Sequence, residues 1–84
     1  MYYKLIKNNI TKLNKDITSN FLKKNNINVN EDEAILITNL AKENWEDLLN
    51  KKYDYVFSIL KSKLKKDQYD KLLKLYLDAI NQYL

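Results

Sequence analysis

Eighty-four residues with a formal net charge of +4, 45% of them hydrophobic and 31% charged, fit one folded domain with a small core. The chain has no Cys, His, Gly or Pro, and all fifteen basic residues are Lys. That excludes disulfides and thiolate chemistry, an imidazole base, the commonest zinc ligands, a glycine-rich phosphate loop and a guanidinium fork on phosphate or guanine.

In chain order, Tyr2 to Asn8 carries Tyr2, Tyr3, Leu5 and Ile6. This is too short for a stable isolated helix. A helical or extended lead-in docked on the body is expected, with a break at Asn8-Asn9. Asn14 can cap a second segment from about Lys15 to Lys24, whose apolar face is Ile17, Phe21 and Leu22. Asn25-Asn26 ends it, with Asn26 in the left-handed conformation and Ile27 packing back.

The central stretch runs from Asn30 to Leu49 and holds the only Trp. Asn30 and Glu33 have the spacing of a capping box, and Glu31, Asp32 and Glu33 suit the positive end of a helix dipole. Ala34, Ile37, Leu40, Ala41, Trp45 and Leu48 share a face at helical spacing. Leu36 falls on the polar side, which implies either a second covered side or a partner surface.

Asn50-Lys51-Lys52 closes the central helix. A fourth helix is expected over Tyr53 to Lys65, with Tyr53, Val56, Phe57, Leu60 and Leu64 inward. Asp67 and Asp70 read as cap and capping-box partner of a last helix. Its apolar residues, from Tyr69 to Leu84, cover about 200° of the helix, wider than one packed face needs. The expectation is an all-α protein: a compact bundle of four main helices plus the lead-in, forming one domain over residues 1–84.

Charge is blocked along the chain. Residues 1–28 carry six Lys and one Asp, residues 29–50 one Lys and six acids, and residues 51–84 eight Lys and four acids. The acidic middle helix should therefore sit among basic neighbours, an effect that steers arrangement more than it stabilises.

The stretch from Asn9-Ile10-Thr11-Lys12-Leu13 through Phe21-Leu22-Lys23-Lys24-Asn25-Asn26-Ile27-Asn28-Val29 to Glu33-Ala34 and Lys42-Glu43-Asn44-Trp45 resembles a family of short uncharacterised proteins of low-GC Gram-positive bacteria and mollicutes. The resemblance covers residues 8–50, with a looser echo from Tyr69 to Tyr76. Its motifs are apolar positions and Asn turns. It implies a small helical bacterial protein of the cytoplasm and no activity.

Acids, Lys and Tyr are available as catalysts, but no spacing assembles them. No enzyme, cofactor or metal site is expected. Asn26, Asn28 and Asn30 alternate like the start of a calcium loop, but Glu31 stands where that loop needs Gly and Ile37 where it needs Glu. A helix-turn-helix reading of residues 15–49 would open its recognition helix with three acids, against phosphate. No run approaches the ~20 apolar residues of a membrane span. The N-terminus lacks the apolar core of a signal peptide, so a cytoplasmic location without membrane contact is expected.

What remains is binding. The first expectation is a non-catalytic protein-interaction module, a homodimer or an accessory subunit, touching its partner through Leu36, Leu75, Ala79 and Tyr83. The alternative is weak, sequence-nonspecific nucleic-acid binding through Lys51, Lys52, Lys61, Lys65 and Lys66. Against the first stands a wide helix buried inside its own bundle; against the second, a solvated helix end.

Overall fold

A computed structural model describes residues 2–83 and the side chains of residues 4–82. Among them are five α-helices: α1 Tyr2–Thr11, α2 Lys15–Lys24, α3 Glu31–Leu49, α4 Asp54–Lys63 and α5 Lys66–Tyr83. No strand occurs among the described residues. The lead-in is thus a full ten-residue helix, and it runs through Asn8-Asn9 without the expected break. Its chain leaves through a turn at Thr11, whose hydroxyl bonds the Asn8 carbonyl.

Asn chemistry sets the next boundaries. The Asn14 side chain accepts from the Ile17 N–H and opens α2. At the other end Asn26 holds φ at 65°. The Ile27 N–H reaches the Leu22 carbonyl and the Asn26 N–H that of Lys23, the paired bonds of a Schellman ending. Ile27 is buried as a result. The start of α3 is a complete capping box: Asn30 accepts from the Glu33 N–H, and Glu33 accepts from the Asn30 N–H.

The end of α3 repeats the Schellman pattern with a different residue. The Lys52 N–H bonds the Asp47 carbonyl and Lys51 sits at φ 63°. In a chain without glycine, Lys51 takes the left-handed place that Asn or Gly usually fills. The start of α5 also differs from expectation. The helix begins at Lys66, so Asp67 lies inside its first turn. The reciprocal contact is made by Gln68, which accepts from the Lys65 N–H. Gln68 donates in turn to Asn28 and Glu33, tying α5 to the start of α3.

Helix α3 is the hub. It packs against α1, α2 and α4, while α4 packs against α5. That explains its apolar residues on more than one side: Leu36, placed on the polar side by spacing, is half-buried against the core. The core joins Leu22 and Ile27 to Leu40 of α3, to Val56, Phe57 and Leu60 of α4, and to Leu64 and Leu72. Tyr53, Phe57, Tyr69 and Tyr76 surround it as a ring cluster with centroids 5.4 to 6.0 Å apart, within the range of favourable edge and tilted pairs. Among the described side chains, none of α1 belongs to this core.

Two side chains expected inside α2 are not. Ile17 and Phe21 are 48% and 54% exposed. The face of α2 that meets α3 instead carries Leu22 and Thr18. The buried Thr18 hydroxyl lies 2.6 Å from that of Thr38, which is 2.7 Å from the Ala34 carbonyl oxygen. One proton each satisfies the pair, with Thr38 donating to the carbonyl and accepting from Thr18. The radius of gyration is 12.1 Å, close to the ~12 Å expected of a compact chain this long.

Candidate functional site

Helix α3 is not regular throughout. Asn44 leaves helical geometry (φ −126°, ψ 20°), and its side-chain amide donates to the Leu40 carbonyl at 3.0 Å. A side chain that takes the carbonyl of the preceding turn is a known cause of a helix bend. Ala41 on one side of that bend and Trp45, Leu48 and Leu49 on the other line the same open side.

Those four residues floor a groove of about 390 Å³. One wall is α1, through Leu5, Ile6 and Ile10; the other is the second half of α5, through Tyr76, Ala79 and Ile80. Every described lining residue is apolar or aromatic. The hydroxyl of Tyr76, one of the described lining residues, donates to the Leu48 carbonyl. Burial, followed by the neighbouring Tyr53, raises the Tyr76 phenol above its usual pKa. That hydroxyl therefore stays neutral and tethered at ordinary pH. Leu5 stands at the mouth, 57% exposed. The floor from Ala41 to Leu49 runs about 12 Å along the helix axis, roughly two turns.

Such a surface can do one thing well: remove apolar side chains from water. It presents no nucleophile, acid–base pair or ligand set. Among the described residues, no three His, Cys, Asp or Glu side chains gather as a metal site. No helix among them is long and apolar enough to cross a membrane.

The residues singled out from sequence are distributed unevenly over this site. Ala79 is exposed and lines the groove. Leu36 and Leu75 are half-buried and pack against the core, away from it. Tyr83 ends α5, but its side chain lies outside the described ones. The expected set is therefore not one patch. Sequence reasoning missed Leu5, Ile6 and Ile10 as a wall, and it missed the bend at Asn44.

The lysines divide as well. Lys51 and Lys52 precede α4 and Lys61, Lys65 and Lys66 follow or end it; all are exposed. A ten-residue helix separates the two groups by about 15 Å. Lys66 is engaged with Asp70 at 2.7 Å, which raises its pKa through the hydrogen bond and the charge. The corner formed by α4 and α5 does gain neighbours from α2: Lys71 donates to the Asn26 carbonyl. This brings the last turn of α2, with Lys23 and Lys24, to the same end of the molecule. A crease of mixed polar and apolar lining there is formed by Asn26, Ile27, Asn28, Lys65, Asp67, Gln68 and Lys71.

Comparison of the chain with protein-family models, with curated proteins and with solved structures finds no match.

Proposed function

We propose that this chain is a non-catalytic protein-interaction module of the cytoplasm that receives apolar side chains of a protein partner in the groove between α1, α3 and α5. The observation that carries the reading is the uniform chemistry of that groove, whose described lining residues are all apolar or aromatic. A concave apolar surface two helical turns long is the form in which one helix accepts the anchors of another. Its volume lies in the range of ligand pockets, but the open side and the exposed Leu5 at its lip favour a partner that continues beyond the groove.

The test is site-specific photo-cross-linking in the expressing cell. A photoreactive side chain at Ala79 should capture a defined protein species. The same group at Tyr55, which is 66% exposed on α4, should capture none. Equal and diffuse labelling from both positions would remove the reading.

A second reading is supported by the gathering of α2 with the α4–α5 corner. Lys23, Lys24, Lys61 and Lys65 would contact phosphates of a nucleic acid without reading bases, and Lys51 and Lys52 would stand apart. Retention of DNA or RNA at low salt, lost as salt rises, would support it. No retention at low salt would end it.

A further inference from the structure

Phe21 stands beside the lysines that end α2. Its ring is on the last turn of that helix and the residue is 54% exposed. Its carbonyl accepts from the Asn25 side chain. Lys24 lies three residues further on, so the ring and the ammonium are neighbours on one face. Ile17, also exposed, extends that face one turn back, and neither apolar side chain belongs to the core.

This end of α2 is held at the corner of α4 and α5. Lys71 donates to the Asn26 carbonyl at 3.2 Å and Gln68 to the Asn28 carbonyl at 2.8 Å. Asn26 lines one crease with Lys65, and Lys61 lies in the last turn of α4. Two cations of the corner are engaged within the chain, Lys66 with Asp70 and Lys71 with Asp67. Glu33, which reaches the corner through Gln68, is held in its capping box. Lys23, Lys24, Lys61 and Lys65 are exposed and join no ion pair among the described residues. An exposed ring beside unpaired cations offers a base a flat apolar face and its phosphates a counter-charge.

The kind of strand follows from the ring. In a duplex the bases stack on one another, and their flat faces are hidden. A duplex is read by side chains on base edges, most often by the guanidinium of Arg, which this chain lacks. A surface ring finds an open face only on an unpaired base. We therefore infer that the ligand of this corner is single-stranded nucleic acid. One base stacks on Phe21, Lys23 and Lys24 hold the adjoining phosphates, and Lys61 and Lys65 hold the strand as it continues. The inference rests on the reading of this corner as a phosphate-binding surface. Stacking and phosphate contact serve DNA and RNA alike.

Fluorescence anisotropy at low salt tests it, with labelled oligo-dT and oligo-U of about 16 nucleotides and a DNA duplex of the same length. The tighter of the two single strands should bind about tenfold or more better than the duplex, and the two arms tell DNA from RNA. Phe21→Ala should weaken single-strand binding about fivefold or more, the loss of one stacked base. Duplex binding and the salt dependence should stay as in the wild type. Phe21→Trp should keep the affinity, and Phe21→Leu, apolar without a ring, should lose it as Phe21→Ala does. The double variant Lys24→Gln, Lys65→Gln should weaken both ligands and flatten the salt dependence. Unchanged far-UV circular dichroism shows that each variant is folded. A duplex bound as tightly as the single strands, or undiminished binding by Phe21→Ala or Phe21→Leu, overturns the inference and leaves the phosphate-binding surface standing. No binding to any of the three removes both. Phe21-dependent binding to phosphatidylglycerol vesicles without binding to either single strand also overturns it, and assigns the face to an anionic membrane.

Discussion

Lys51 holds φ at 63°, a conformation that costs a residue with a Cβ about 1 kcal/mol. Lys51→Gly should therefore raise stability by roughly 0.5–1 kcal/mol, read as a higher midpoint in urea; a lower midpoint would show that the Lys side chain contributes more than the backbone loses. Thr18 and Thr38 give the opposite test. Thr38→Val leaves the Thr18 hydroxyl buried without its partner and should cost about 1–3 kcal/mol, whereas the double Thr18→Val, Thr38→Val variant should recover most of that loss. On the surface, Lys15 holds the Glu31 carboxyl below its usual range by hydrogen bond and charge. A depressed carboxylate contributes stability that is present above its unfolded pKa and is lost as pH falls through its folded pKa. Glu31→Gln should accordingly flatten the loss of stability on acidification below about pH 4.5, and added salt should shrink the difference. Of these residues the Asn caps were legible in the sequence, because each cap needs one side-chain oxygen at a fixed spacing. The left-handed Lys51 was not, since nothing in its type distinguishes it from Lys52. The Thr pair was not legible either, because a hydroxyl signals burial only once its partner from another helix is known.

At the scale of elements, the capping box of α3 does two jobs, since Glu33 also accepts from Gln68 of α5. Asn30→Ala should cost about 1 kcal/mol. Glu33→Ala should cost more, because it also releases the Gln68 contact that holds α5 against the start of α3; equal losses would mean that the tether contributes nothing. Helix α1 packs on α3, and none of its described side chains belongs to the core. Its amides should exchange with solvent at least tenfold faster than those of α3 and α4, as expected of a segment that opens locally. Four of the five helices were legible from periodicity and caps. The extent of α1 was not, since ten residues owe their helix to docking rather than to propensity. The faces of α2 were misread for a related reason. Periodicity says that Ile17, Phe21 and Leu22 lie near one another, but not which edge of the stripe meets α3, and Thr18 took the place expected of Phe21.

Across the whole molecule, α1, the last turns of α3 and the second half of α5 line an apolar groove, while lysines of α2, α4 and α5 gather near Asn26. The charge blocks in the sequence foretold basic helices around an acidic one, and Lys15 with Glu31 is an instance across α2 and α3. They did not foretell the groove, which needs residues of α1, α3 and α5 brought together. The account's central claim is that function covers this groove. Trp45 is the only Trp in the chain and lies in the groove floor, so its emission reports on the site alone. Titrated with its partner, or concentrated if the partner is a second copy, the protein should show Trp45 emission shifted to shorter wavelength and less accessible to acrylamide. Complex formation that leaves both the wavelength and the quenching of Trp45 unchanged would contradict the account.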